Sequence, residues 1–97
     1  MRTIKELLIL LREYFPTSDL YERGALCFAI RDMYYDRSLI SQEEEHILYD
    51  YIHDNRHKCQ EIRSACNSDY PYFFPNGELA PRLEFLDKLI AECDEKI

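Results

Sequence analysis

Apolar residues recur at the spacing of an α-helix in four stretches of the chain. The first stretch opens at Thr3, which can form a capping box with Glu6 and so predicts the start of a helix. The helix is expected to end at Pro16, because proline cannot continue the hydrogen-bond pattern. The apolar stripe of this helix consists of Ile4, Leu7, Leu8, Leu11 and Phe15, widened by Ile9 and Leu10.

A second helix is predicted from the next apolar stretch. It is expected to start at Ser18 or Asp19, either of which is a suitable N-cap. Its inner face is marked by Leu26, Ile30 and Met33. The short segment 35–40 is then predicted to connect this helix to a third helix.

The third helix has the clearest start of the four. Ser41 and Glu44 form a capping box, and the acids of this first turn, Glu43 among them, are favoured by the helix dipole. The helix is expected either to stop near Asn55 or to bend into the segment 58–65. Its inner stripe is predicted to contain Ile47, Leu48, Tyr51 and Ile52.

The last helix is predicted to run from Pro81 to Lys96. Its apolar residues in register are Leu83, Leu86, Leu89, Ile90 and Cys93. Only two glycines occur in 97 residues, which favours long helices over a sheet with many turns. We therefore expect one all-α domain over residues 1–97, a small bundle of four helices, or five if 58–65 forms its own.

An aromatic segment between two prolines precedes the last helix. Pro71 and Pro75 restrict the backbone, and the Asn76-Gly77 pair supplies a turn. The result is a stiff loop that either packs over the bundle or anchors a partner. Its candidate partner-binding residues are Tyr70, Tyr72, Phe73 and Phe74.

Arg82 is the other candidate in this region. A cation in the first turn of a helix opposes the helix dipole, so its presence there predicts a specific interaction. We expect the guanidinium to pair with a carboxylate such as that of Glu78, or to stack on a ring of the aromatic loop. Either contact would present the loop rigidly to a partner.

The charge of the chain indicates which class of partner it can bind. The net charge is −7, from 19 acidic and 12 basic residues. This disfavours direct binding to nucleic acid, which requires a concentrated basic face. A basic protein partner is expected instead, with Glu43 and Glu44 as contact residues. Thirteen aromatic residues, eight of them tyrosines, exceed what a small core readily buries, so a homodimer is a further expectation.

A metal site is the alternative that the sequence leaves open. Ligand types suited to zinc occur at His53, His57, Cys59 and Cys66. The spacing lacks the paired cysteines of recognisable zinc modules, so a metal- or small-ligand-binding module stays the second hypothesis. No cofactor is expected. Nor is an enzyme, because the sequence suggests neither an activated nucleophile nor a glycine-rich phosphate loop.

The N-terminus does not read as a signal peptide, because Glu6 interrupts it and the apolar run that follows is short. No stretch approaches the roughly 20 apolar residues that span a membrane. We therefore expect a cytoplasmic protein with reduced thiols.

Three motifs resemble a family of small uncharacterised proteins of bacteriophages and mobile elements, particularly those of gut Bacteroidetes. They are Thr3–Leu8, the Leu39-Ile40-Ser41 stretch with its following acids, and the segment from Phe73 to Leu86 that contains Pro-Asn-Gly-Glu and Pro-Arg. The resemblance implies an accessory phage-type protein without catalysis. The expected function is binding to a protein, such as a host defence or nucleic-acid-processing factor, and blocking it by occlusion.

Overall fold

The computed structural model describes residues 1–17, 26–61 and 79–95. The helices in these ranges are α1 (Ile4–Tyr14), α2 (Leu26–Tyr35), α3 (Gln42–Asp54) and α4 (Leu79–Glu95). Short 3-10 helices cover Phe15–Thr17 and Arg56–Glu61. No strand occurs in these ranges, and the predicted all-α class is confirmed. The predicted start of the second helix and the aromatic loop lie outside the described residues.

The capping box predicted at the start of α1 is formed. The Thr3 hydroxyl accepts a hydrogen bond from the Glu6 amide at 3.2 Å, and the Glu6 carboxylate accepts one from the Thr3 amide at 2.8 Å. These bonds satisfy two backbone donors that have no partner within the helix. The buried face of α1 is the predicted stripe, with Leu7, Leu8, Leu11 and Phe15 fully buried.

Helix α1 is the centre of the bundle. It packs against α4 and α3 and also contacts α2, while α2 packs against α3. The core is one cluster to which all four α-helices contribute. Its fourteen buried apolar residues are Leu7, Leu8, Leu11, Phe15, Leu26, Ala29, Ile30, Met33, Ile40, Leu48, Ile52, Phe85, Leu86 and Leu89.

Helix α3 begins as the sequence predicted and ends at the first of the two predicted alternatives. Ser41 and Glu44 form the reciprocal capping box, and Asn55 is the C-cap. The inner stripe is narrower than predicted, because Leu48 and Ile52 are buried whereas Ile47 is 36% exposed. The buried positions of α3 repeat every four residues, and Ile47 lies about 100° around the helix from Leu48, toward solvent.

Helix α4 starts at Leu79, two residues earlier than predicted. Pro81 still lies in the first turn, where a backbone N–H would have no helical partner. The buried residues of α4 include Phe85, which lies beside the predicted stripe, and Arg82. In the described ranges, no helix has the length and apolar character needed to cross a membrane.

Candidate functional site

A cleft of about 330 Å³ opens between α2 and α3. Helix α2 contributes one wall and the first half of α3 the other. Most of the surface inside the cleft is apolar. The residues that line it are Cys27, Phe28, Ile30, Arg31, Glu45, His46 and Tyr49.

The wall from α2 exists because this helix has a second apolar face. Leu26, Ile30 and Met33 turn toward the core, which leaves Phe28 on the opposite side of the helix with 49% of its surface exposed. Tyr35, two turns further along, is also exposed. The Arg31 guanidinium lies 5.8 Å from the centre of the Tyr35 ring, a cation–π distance. These side chains form a ridge of Phe28, Arg31 and Tyr35 at helical spacing.

Helix α3 supplies a second ridge. Tyr49 is 40% exposed, and its ring stacks on the imidazole of His53 with 6.4 Å between centroids and 13° between planes. His46 lies one turn before Tyr49 and is exposed. His46, Tyr49 and His53 therefore follow the same i, i+3, i+7 spacing as the ridge on α2.

The charge around the cleft is unequal on its two sides. Helix α3 contains five acids and no lysine or arginine. Glu43, Asp50 and Asp54 are exposed and lie together on one side of α3, next to His46 around the helix. We call these three residues the acidic edge. Helix α2 carries Arg31 on its side of the cleft. The cleft thus has an acidic border on α3 and a cation on α2.

Cys27 is half-buried in the wall of the cleft. Burial raises the pKa of its thiol, with only partial opposition from backbone hydrogen bonds. The thiolate is the nucleophilic form, so this thiol stays protonated and behaves as a small apolar group. The side chains of the cleft are suited to contact and recognition.

Four of the tyrosines within the described ranges show two kinds of environment. The Tyr14 hydroxyl donates to the Asp32 carboxylate, and burial raises the pKa of Tyr14. Tyr51 lies against Cys93, with 3.9 Å between its oxygen and the sulfur, and burial raises the pKa of Tyr51 to about 12. Both are half-buried and join neighbouring helices, whereas Tyr35 and Tyr49 present their rings to solvent.

Glu44, predicted to contact a partner, instead joins two parts of the fold. It is 5% exposed. Its carboxylate accepts hydrogen bonds from the backbone N–H groups of Ser41 at 2.9 Å and Arg2 at 3.0 Å, and from the Arg2 guanidinium at 2.9 Å. These donors lower the pKa of Glu44 to about 2. Glu44 therefore ties Arg2 to the first turn of α3, whereas the neighbouring Glu43 is exposed. Contact of Glu43 and Glu44 with a partner stays a prediction.

Arg82, which was also predicted to contact a partner, lies inside the fold. It is 0% exposed, and its guanidinium carbon lies 5.5 Å from the centre of the Phe15 ring. This ring belongs to the end of α1. The predicted stacking on a ring of the aromatic loop and the predicted pairing with Glu78 lie outside the described residues. A fully buried side chain cannot contact a partner on the surface, so Arg82 holds α4 against α1.

The predicted metal ligands are only partly within the described residues. His57 is exposed, and His53 has the Arg56 guanidinium 3.4 Å from its Nδ1 atom. A cation at that distance opposes the binding of a metal ion. Within ranges 1–17, 26–61 and 79–95 no three potential ligands converge. The side chain of Cys59 lies outside the description, as do Cys66 and the loop residues Tyr70, Tyr72, Phe73 and Phe74.

The sequence offered one signal for the cleft that the predictions did not use. Phe28 lies off the Leu26, Ile30 and Met33 stripe, and Tyr49 follows the buried Leu48. A large aromatic residue outside the buried stripe of a predicted helix is a candidate contact residue. Two such residues on consecutive helices would have indicated this face.

The chain matches no protein-family model, no curated protein and no solved structure. The side chains of the cleft and the charge around it therefore indicate what it can bind.

Proposed function

We propose that this is a small acidic, non-enzymatic protein that binds a basic protein through the cleft between α2 and α3. The observation that carries the proposal is the pair of exposed rings, Phe28 and Tyr49, on opposite walls of an apolar cleft. Neither ring is needed to fill the core, which α2 and α3 supply through other residues.

Exposed aromatic residues beside an apolar cleft are typical of protein-binding surfaces. Burying apolar surface is favourable by about 25 cal/mol per Å², and aromatic side chains carry much of the energy of protein interfaces. Their rings have few rotatable bonds, so they lose little entropy when a partner binds. Phe28 and Tyr49 fit the role of anchors, and the exposed Tyr35 lies two turns along α2 from Phe28.

The acidic edge supports a basic partner. Glu43, Asp50 and Asp54 lie beside the cleft on a helix without lysine or arginine, in a protein of net charge −7. Complementary charge raises the rate of association and selects against acidic partners. A second copy of this chain would bring two acidic edges together, so a basic protein is the better occupant.

The resemblance to small phage and mobile-element proteins supports a particular class of partner. Host defence and processing factors that bind nucleic acid carry basic surfaces, because they must neutralise phosphate backbones. A small acidic protein docked on such a surface would occlude it, without catalysis and without a cofactor. This mode of action places the protein in the cytoplasm, where those factors work.

The proposal is tested by capture of partners with matched charge variants. Asp50→Lys and Glu13→Lys change the net charge equally, but Glu13 is exposed on α1, away from the cleft. Each protein is immobilised, exposed to lysate of a candidate host and washed, and the retained proteins are quantified. A partner retained by the wild type and by Glu13→Lys, but reduced at least about tenfold by Asp50→Lys and by Phe28→Ala/Tyr49→Ala, supports the proposal. Equal loss with both lysine variants would indicate a non-specific charge effect and contradict it.

The small-ligand alternative has one observation in its favour. The volume of the cleft, about 330 Å³, lies at the lower end of the range of small-molecule sites. An apolar ligand of that size would raise the thermal stability of the protein, by an amount that grows with the logarithm of the ligand concentration above its Kd. A ligand that stabilises the wild type but not Phe28→Ala/Tyr49→Ala would support this alternative.

A further inference from the structure

We infer that the segment bound in the cleft is a single amphipathic α-helix of the partner, with an apolar stripe and a row of lysines or arginines along one side. The inference rests on the proposed function and specifies the secondary structure of the bound segment. It follows from the shape of the two ridges, the charge on each side of them and the secondary structure around them.

The two ridges have the geometry of a receptor for a helix. Helix α2 covers ten residues and α3 covers thirteen, and they are joined by the short connection 36–41. At 1.5 Å per residue the ridge from Phe28 to Tyr35 is about 10 Å long, which matches about two turns of a bound helix. A third helix laid between them would place its apolar stripe against Phe28 and Tyr49 at once, as in other helix-in-groove complexes.

An extended segment would find fewer contacts. Peptides that bind as strands add to the free edge of a sheet, and the part of the chain described here contains no strand. A bound helix satisfies its own backbone hydrogen bonds, so the apolar walls of the cleft need not supply donors or acceptors. The apolar lining of the cleft therefore favours a helix over a strand.

The unequal charge fixes the orientation of the helix about its axis. The acidic edge on α3 is complementary to lysines or arginines on the side of the bound helix that faces α3. Arg31 lies on the opposite side of the cleft and would repel basic residues there. The bound helix is thus expected to be basic along one side only.

The experiment uses a designed peptide of sixteen residues. Leucines at i, i+3, i+4 and i+7 form its apolar stripe, lysines flank that stripe on one side, and one tryptophan reports binding. The protein has no tryptophan, so the fluorescence of the peptide is measured without background. One control peptide has the same composition in scrambled order, and another is rich in proline with the same charge.

The patterned peptide is expected to bind at least about tenfold more tightly than either control, a difference of about 1.4 kcal/mol. Phe28→Ala/Tyr49→Ala should weaken its binding about tenfold, because both rings lie in the cleft. Leu39→Ala is the matched variant, since Leu39 is an exposed apolar residue outside the cleft, and it should bind as the wild type does. Circular dichroism of each variant verifies that it is folded.

Three results of the peptide experiment would overturn the inference. They are equal binding of the scrambled peptide, tighter binding of the proline-rich peptide, and wild-type affinity of the Phe28→Ala/Tyr49→Ala variant. A homodimer that dissociates in that variant, measured by sedimentation, would assign the cleft to a second copy and also overturn it. A natural partner whose capture depends on the cleft, together with failure of the patterned peptide, would refute the helix and leave the proposed function standing.

Discussion

The contact between α1 and α4 differs from the contact between α2 and α3 in the side chains at its solvent-exposed border. Between α1 and α4 the buried leucines are bordered by ion pairs, Lys5 with Asp94 and Arg12 with Asp87. Between α2 and α3 the border is the apolar cleft with its exposed aromatic rings. Charged side chains thus border the contact between α1 and α4, whereas the contact between α2 and α3 leaves apolar surface exposed to water.

The difference teaches how one bundle can serve both stability and binding. Ion pairs in water add little free energy, but they let the edge of a packed interface face solvent without an apolar patch. Among the described residues no ion pair joins α2 to α3 at this border, where Phe28 and Tyr49 are partly exposed. Variants at the two contacts should therefore change different properties.

The largest effect on stability is expected from Arg82→Ala. This variant removes a fully buried side chain that lies over the Phe15 ring between α4 and α1. We expect the free energy of unfolding in urea to fall by about 3 kcal/mol, in the range for breaking a buried charged contact. Arg82→Lys keeps the charge but not the planar group, so an intermediate loss is expected. A change below about 0.5 kcal/mol would show that the α1–α4 contact does not depend on Arg82.

The next effect distinguishes two neighbouring glutamates in the first turn of α3. Glu44→Ala removes half of a capping box and the hydrogen bonds to Arg2, and should cost about 2 kcal/mol in chemical denaturation. Glu43→Ala changes the same net charge at an exposed position and should cost less than about 0.5 kcal/mol. Equal losses would mean that the charge of the turn, and not the enclosed carboxylate, is responsible.

The same carboxylate makes stability depend on pH. The hydrogen bonds from Ser41 and Arg2 hold the folded-state pKa of Glu44 at about 2, below its ordinary value. A lowered pKa contributes stability above the unfolded pKa, and this contribution is lost as the pH falls through the folded value. The denaturation midpoint should therefore decrease as the pH is lowered from about 5 to about 2, and it should decrease less steeply for Glu44→Gln. Parallel curves for the two proteins would contradict this assignment.

The smallest effect is expected at the border of the α1–α4 contact. Asp87→Ala removes the partner of Arg12, whose Nε lies 2.9 Å from the Asp87 carboxylate at the exposed surface. The free energy of unfolding should change by less than about 0.5 kcal/mol, and 1 M salt should remove the difference. A loss above about 1 kcal/mol, measured in urea at low salt, would mean that ion pairs hold this contact together.

Local features of the fold were predictable from the sequence because they depend on residues close together in the chain. Both capping boxes, at Thr3 with Glu6 and at Ser41 with Glu44, follow from a spacing of three residues and are formed. The end of α3 at Asn55 was one of two predicted outcomes. The buried stripe of α1 follows from helical periodicity alone.

Features that join distant residues were not predictable. Nothing in the sequence relates Arg2 to Glu44, 42 positions away, or selects Phe15 as the ring beneath Arg82. Periodicity identifies an apolar face but not which edge of it a neighbouring helix covers, as the exposed Ile47 shows. The aromatic residues of the cleft, Phe28 and Tyr49, could be picked out from the sequence, but the cavity between them could not, since it exists only where two helices meet.

The most direct test of the central claim is the footprint of a captured partner on the protein, measured by amide hydrogen exchange. If the cleft is the binding surface, the complex should slow exchange in α2 and in the first half of α3, and leave the exposed side of α1 around Glu13 unchanged. Slowed exchange confined to α1 and α4, with α2 and α3 exchanging as in the free protein, would contradict the account.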